Sequence, residues 1–235
     1  MQTPRETVVF DQPDACPYLP GRTSRLPLRI PARVLNGAEF DARLAAGDRR
    51  SGPLLYTTHC PVCRACEAIR IDVHRFIPSR SQQRTWQRGQ KKFRAVISQP
   101  QVDQQRVDLF NRHKTERGLN HDGRISDELD YEQFLVETCC ETREIAYYLE
   151  DRLAMVAIID CGATSLSAVY TYYDPDVRSL SPGVYSVLNE IEFCRQSGRR
   201  YLYLGYYIAE SPHMSYKAKY RPHERRVGGA WQSFT

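Results

Sequence analysis

Three stretches of this 235-residue sequence carry side chains that can do chemistry. In HCPVCRAC, Cys60, Cys63 and Cys66 form C-x2-C-x2-C. Thiolates at this spacing meet on one ion without strain, and a tetrahedral site needs four ligands. Cys16, upstream across a long loop, is the fourth by elimination. The run also resembles part of a ferredoxin ligand set, without the usual fourth cysteine downstream. Beside a Cys16/Cys60/Cys63/Cys66 metal site stand two other readings. One is thiols that bind nothing; the other is a catalytic thiolate with His59 as base. Cys139, Cys140, Cys161 and Cys194 lie in or beside expected regular elements and read as small core hydrophobes.

The second stretch, residues 73–102, contains no Asp or Glu but holds Arg75, Arg80, Arg84, Arg88, Lys91, Lys92 and Arg94. Ser79 and Gln82 make a capping box for a helix running to about Lys92. Arg80, Arg84 and Arg88 then share one face, extended by Lys91 or Lys92. A solvated helix normally intersperses acids to form pairs four residues apart. This one does not, so an anionic partner is expected. A phosphate backbone suits guanidinium groups, and the aromatic Trp86 within the run suits bases. The alternative is neutralisation by Asp127, Glu128, Asp130 and Glu132 from elsewhere in the fold.

The third stretch is YLYLGYYIAESPHMSYKAKYRP, residues 201–222. Its six tyrosines precede or interleave with His213, Lys217, Lys219 and Arg221. Phenols can pack and orient a ligand while the cations receive a carboxylate or phosphate.

The elements that must position these groups follow from composition and period. Hydrophobic content of 41% and charged content of 26% are ordinary for a globular protein. A net charge of +5 is a mild sign of a polyanionic partner. No secretory leader and no run of membrane-spanning length is evident, so a cytoplasmic protein without a membrane partner is expected. Cysteines there stay reduced. Residues 1–37 are rich in turn-formers and read as loop with short extended pieces. Helices are expected at 38–47, 79–92, from Val102 to Gly118, at 127–138 and at 183–196. Strands are expected at 54–58, 69–73, 93–98, 144–150, 153–160, 165–173 and 201–205. The period supports a mixed α/β (α+β) fold with an antiparallel meander. Its element order is that of an acetyltransferase-like (GNAT) core in residues 101–235, behind a cysteine-containing, loop-rich N-terminal domain in residues 1–100.

CPYLPGRTSR, HCPVCRACEAIRIDV, FIPSRSQQR, SAVYTYYDPD, SPGVYSVLNEI and LGYYIAESPHMSYKAKYRP occur in that order. Together they resemble the bacterial aspartate/glutamate leucyltransferases, short relatives of the eukaryotic arginyl-tRNA–protein transferases. The resemblance implies an acetyltransferase-like C-terminal half. It implies transfer of an amino acid from aminoacyl-tRNA to the N-terminal amine of proteins beginning with Asp or Glu, creating an N-degron. Eukaryotic relatives bind zinc or an iron–sulfur cluster through N-terminal cysteines. Cys16 and Cys63 resemble those positions, and Cys60 and Cys66 belong to the bacterial pattern. The sequence departs from the family at His213, where Lys is common, at Gly205-Tyr206-Tyr207, where G-Y-W is common, and at Ser181-Pro182.

Such a transfer needs no cofactor and no nucleophilic side chain. It needs a neutral amine, an oxyanion stabiliser, a proton for the leaving ribose oxygen and close positioning. Asp160 or Asp174, at strand ends, are expected to hold the incoming ammonium and help it lose a proton. Tyr206 is expected to donate to the leaving oxygen. Lys217 and Arg221 are expected to neutralise the acceptor's side chain or the RNA terminus. Gly205 allows a close approach of main chain to ligand. Gly183 opens a helix whose free N–H groups can hold a phosphate or ribose, and Tyr216 is one of the orienting phenols. Arg80, Arg84, Arg88, Lys91 and Lys92 are expected to hold the tRNA. Three rivals remain: arginine as the transferred residue, a non-catalytic RNA-binding module, and a coenzyme A-dependent acetyltransferase. The missing pyrophosphate loop before Gly183 counts against the last.

Overall fold

The computed structural model describes residues 4–118 and 123–235. In chain order the elements begin with strands β1 (Glu6–Phe10), β2 (Pro13–Ala15), β3 (Thr23–Arg25) and β4 (Leu28–Pro31). Helix α1 (Gly37–Ala46) precedes β5 (Arg49–Ser51), β6 (Leu54–Tyr56) and β7 (Glu67–Asp72). Then come α2 (Arg80–Lys92), β8 (Phe93–Ser98), α3 (Gln104–Glu116) and α4 (Glu128–Tyr131). The meander is β9 (Thr142–Leu149), β10 (Arg152–Cys161) and β11 (Ser165–Tyr173). It is followed by α5 (Pro182–Gln196), β12 (Tyr201–Tyr207), α6 (Pro212–Ser215), β13 (His223–Val227) and β14 (Ala230–Phe234). Among the described residues no helix is long and apolar enough to cross a membrane.

The principal sheet has the order β14-β13-β7-β12-β11-β10-β9-β8. Its centre is the antiparallel meander β9-β10-β11, from which α5 crosses over to β12, parallel to β11. A meander, a crossover helix and a parallel return strand make the expected acetyltransferase-like core. A second sheet, β1-β4-β6-β5, belongs wholly to the first 56 residues.

The division expected at residue 100 does not separate two sheets. β7 is hydrogen-bonded between β13 and β12, and β8 pairs with β9. Residues 67–98 therefore complete the sheet built mainly by residues 142–234.

β10 is buried along almost its whole length, and its side chains alternate between faces with period two. Met155, Ala157 and Ile159 join the core under α2 and α5, whereas Val156 and Ile158 join the core under α3 and α4. α1, with Phe40 and Leu44, covers a third cluster with Leu55 and Tyr203.

α2 begins as expected, with Ser79 accepting from Gln82 N and Gln82 reaching back to Ser79 N. Its buried residues are Gln82, Thr85 and Gly89. A Cβ on residue 89 would lie 2.1 Å from Tyr185 Cδ2, so only glycine lets α2 lie directly on α5. The helix expected over 127–138 is α4 followed by a π-helical turn, Glu132–Val136.

Candidate active site between two diverging strands

β11 and β12 pair only at Ser165–Tyr201, Leu166–Leu202 and Ser167–Tyr203. Both strands continue, β11 to Tyr173 and β12 to Tyr207, but apart. Gly205 sits in the opening with φ of 82°, where the register of β12 against β7 shifts between Tyr203 and Tyr206.

Arg49, from β5, enters this opening. Its Nη1 donates to Ser167 Oγ at 2.8 Å and its Nη2 to Ala168 O at 2.8 Å. A Cβ at residue 205 would stand 3.2 Å from the Arg49 Cζ. Glycine is thus required both by its left-handed backbone and by the close guanidinium.

Lys217, in the 3-10 turn Tyr216–Lys219, arrives from the other strand's end. Its Nζ donates to Tyr206 O at 2.7 Å and approaches Met214 Sδ at 3.5 Å. Burial, and then the charge of Arg49, push its amine down to about 7. Burial raises the phenols of Tyr18, Tyr56 and Tyr206, and Arg49 draws them partly back.

On the α5 side, Ser186 Oγ lies 3.4 Å from Thr171 Oγ1, beyond the point of divergence, and donates to Glu190 Oε1 at 2.8 Å. Glu190 has no exposure, and its Oε2 has no hydrogen-bond partner among the described residues. Burial pushes this carboxyl up to about 7. The buried Tyr220 hydroxyl also lacks a partner.

The sequence-predicted groups divide sharply. Lys217 and Gly205 meet in the opening, with the exposed Tyr216 next to Lys217. Gly183 lies in the first turn of α5, at the end of the crossover that leaves β11; a Cβ there would meet only the Tyr173 ring, at 3.8 Å.

Asp160 is not available to an incoming amine. It is fully buried, accepts from Arg50 Nε at 2.8 Å and from Thr142 Oγ1 at 2.7 Å, and holds β5 against the meander. Asp174 is likewise committed. It caps the turn Pro175–Leu180 through Asp176 N at 3.0 Å and pairs with Arg152 and with Arg112 at 2.9 Å. Burial alone would raise its carboxyl, but the Asp176 N–H and the two guanidiniums bring it below the usual range. The Tyr206 hydroxyl donates to Gly47 O at 3.1 Å, so it joins α1 to β12 instead of facing a leaving group. Arg221 bonds the terminal carbonyl of Thr235 and does not enter the opening.

Cys16, Cys60, Cys63 and Cys66 are free thiols. Burial, and then neighbouring Cys60, Cys16 and Cys63, push Cys66 up to about 12. Cys63 is lowered by the Ala65 N–H and by Arg22, whose Nη1 is 3.3 Å from its Sγ. The four are gathered, yet among the described residues no group of three or more His, Cys, Asp or Glu side chains is arranged to hold a metal ion.

The α2 cations Arg80, Arg84, Arg88, Lys91 and Lys92 are all exposed. Arg88 Nη1 donates to Ser179 O at 3.0 Å, and among the described residues none of the five has a carboxylate partner. Two of the acids that could neutralise them are used elsewhere: Asp127 and Asp130 cap α4, and Asp130 pairs with Arg124 at 2.7 Å. A cleft of about 460 Å³ between α3 and residues 125–129 is lined by Asp108, Asp127 and Glu128, and none of the predicted site residues lines it.

Sequence reasoning missed Arg49 and Glu190. Glu190 left one signal, a carboxylate three residues after Val187 on the apolar face of α5. Arg49 left none, lying in the polar run GDRRSG.

Residues 14–84 match the family described as arginine-tRNA-protein transferase, N terminus, and residues 105–227 match its C terminus. An aspartate/glutamate leucyltransferase of Halorhodospira halophila is 36% identical over 235 residues, covering 99% of each chain. That of Polynucleobacter asymbioticus is 35% identical over 229 residues, covering 95% of this chain and 92% of its own. Among solved structures, L-PGS from Bacillus licheniformis overlays 73% of this chain and 59% of that one, at 13% identity and a TM-score of 0.49.

Proposed function

The chain belongs to the arginine-tRNA-protein transferase family, matching bacterial aspartate/glutamate leucyltransferases along nearly its whole length, and on that premise we propose how it works. It is an aminoacyltransferase that takes leucine from leucyl-tRNA. The acceptor is the N-terminal amine of a protein that begins with Asp or Glu, which the added leucine marks for proteolysis.

The observation that carries the mechanism is the buried Lys217 amine in the β11–β12 opening, beside Gly205 and, among the described residues, without an acidic partner. As a neutral amine it has two N–H groups and one lone pair. The Tyr206 carbonyl and the Met214 sulfur take the N–H groups. The lone pair is left to accept the proton of the acceptor's ammonium.

The freed nitrogen attacks the leucyl ester carbon. A C–N bond forms, the C–O bond to the tRNA ribose breaks, and the ribose oxygen leaves as a hydroxyl once protonated. Lys217 is placed to pass the proton it has taken to that oxygen, and the second proton shed by the attacking nitrogen goes to solvent, so each transfer releases one proton. The ester arrives already activated, so the amine can attack it directly.

The exposed α2 cations supply the polyanion-binding face. Their charge is unanswered by protein acids, and each phosphate neutralised releases counterions. Cytoplasmic location follows from the reaction, since charged tRNA is a cytoplasmic reagent.

The test is transfer of labelled leucine from leucyl-tRNA to peptides starting with Asp, Glu or Ala, with arginyl-tRNA in parallel. Transfer to Asp and Glu from leucyl-tRNA alone is the expected result. Label from arginyl-tRNA, or RNA binding with no transfer, would overturn it.

A further inference from the structure

We infer that Arg49 is the receptor for the acidic side chain of the acceptor's first residue. This rests on the functional reading above and assigns the residue that makes the enzyme selective.

Three arginines of the described chain are buried: Arg49, Arg50 and Arg106. Arg50 is paired with Asp160, and Arg106 with Glu144 and Asp103. Of the half-buried arginines, Arg29, Arg43, Arg70 and Arg225 are paired with a carboxylate as well, whereas among the described residues Arg199 and Arg226 are not. Of the three buried ones Arg49 alone has no acid, although its relative exposure is 9%. Next to it Lys217, at 8%, has none either. A buried charge is costly unless it is paired. The uncompensated guanidinium in this recess therefore defines a place for an anion.

The chemistry of the recess selects the anion. Ser167 Oγ and Ala168 O hold one N–H from each terminal nitrogen of Arg49 and fix the guanidinium plane. Tyr56 is also hydrogen-bonded to the guanidinium, and the N–H groups left over suit a carboxylate. Tyr18 and Tyr206 lie within the electrostatic reach of the guanidinium, so the recess is phenolic as well as cationic.

Position supplies the third argument. The side-chain carboxylate of an N-terminal Asp is separated from its own amine by only Cα and Cβ. Whatever grips it must lie within a few ångströms of the nitrogen that reacts. Lys217 takes that nitrogen's proton, and Arg49 is its cationic neighbour. Asn and Gln at the acceptor terminus have the same shape without the charge, and would leave the guanidinium unanswered.

The experiment measures kcat/KM for peptides beginning with Asp, Asn and Ala, and separately KM for leucyl-tRNA, on the wild type and on Arg49→Gln, Arg49→Lys and Ser167→Ala. In the wild type Asp exceeds Asn. In Arg49→Gln the Asp/Asn ratio falls by at least about thirtyfold, as expected for removing one partner of a buried charge pair, while KM for leucyl-tRNA stays within about twofold. Arg49→Lys and Ser167→Ala lower the ratio by smaller factors. Either one decides the matter should Arg49→Gln not fold, because an unchanged ratio in a folded variant overturns the inference. A preserved ratio with a raised KM for leucyl-tRNA also overturns it, placing Arg49 on the RNA terminus. If wild-type protein transfers nothing to Asp peptides, the functional reading itself fails. Wild-type selectivity that survives in the variants sinks only the assignment of Arg49.

Discussion

Lys217 Nζ lies 2.7 Å from the carbonyl oxygen of Tyr206, inside the opening that begins where β11 and β12 cease to pair. The amine faces a carbonyl and a thioether but no carboxylate, so burial is free to favour its neutral form.

This sets the pH dependence of transfer. Lys217 is brought down to about 7, so the base is protonated below that pH and competent above it. kcat/KM for an Asp peptide therefore rises with pH through about 7, convolved with the acceptor's own amine near ~8. Lys217→Ala should reduce kcat by roughly 10²–10⁴-fold and leave only the acceptor's limb. A stopped-time assay across pH 5.5–9 reads both effects, and an unaltered profile in the variant would remove Lys217 from the chemistry.

The α2 stripe makes a separate prediction. Arg80→Glu, Arg84→Glu and Arg88→Glu together should weaken tRNA binding and lower the slope of log K against log salt by about 2–3, one for each phosphate no longer neutralised. Fluorescence anisotropy over a salt series checks it. The aminoacyl-transfer rate at saturating tRNA should change little, because these side chains lie on the outer face of α2.

Asp160 should matter to stability and not to chemistry. Asp160→Asn leaves the Arg50 guanidinium buried against a neutral amide, and breaking such a pair costs about 3–5 kcal/mol. Urea unfolding should show that loss, while the fraction that remains folded keeps its specific activity. Full stability with abolished transfer would restore Asp160 as a reacting group.

Glu190 gives stability its own pH dependence. Its carboxyl titrates near 4.5 unfolded and about 7 folded, so the native state holds the extra proton between those values. Stability then falls as pH rises from 4.5 towards 7 and is lower, by up to roughly 3 kcal/mol, above it. Glu190→Gln removes this slope. Unfolding free energies at pH 5 and pH 8 should differ more in the wild type than in the variant.

Much of the fold is legible in the sequence because its period is strong. The meander, α2 with its capping box, and α5 with its apolar stripe fall where alternation and the i, i+3, i+4 spacing put them. The hairpin β13–β14 is not legible in this way, although Gly228-Gly229 is a good hairpin turn. Its strand HERRV is dominated by charge, and the charge is reconciled by stacking: Arg225 lies 4.6 Å from the centroid of the Tyr207 ring and 3.5 Å from that of Phe234.

The site is half legible. The change from tyrosines to cations after residue 207 does mark Lys217, and a glycine between tyrosines does mark the opening. Asp160 and Asp174 mislead because an acid at a strand end looks available until its partner is known. Arg50 is 110 residues from Asp160, and Arg152 is 22 from Asp174. Arg49 is harder still: its significance is the lack of a nearby acid, a relationship that exists only in three dimensions.

The place of β7 in the sheet also governs how the molecule can be made. This half-apolar strand leaves the ribosome early, but its two neighbours, β12 and β13, are synthesised some 130 residues or more later. Until then its edges are bare, and long-range pairing of this kind is slow and prone to sticking. The nascent chain must therefore wait for nearly its last residues before its central sheet can close. Co-expressed halves cut at residue 100 should each be insoluble alone and recover only together.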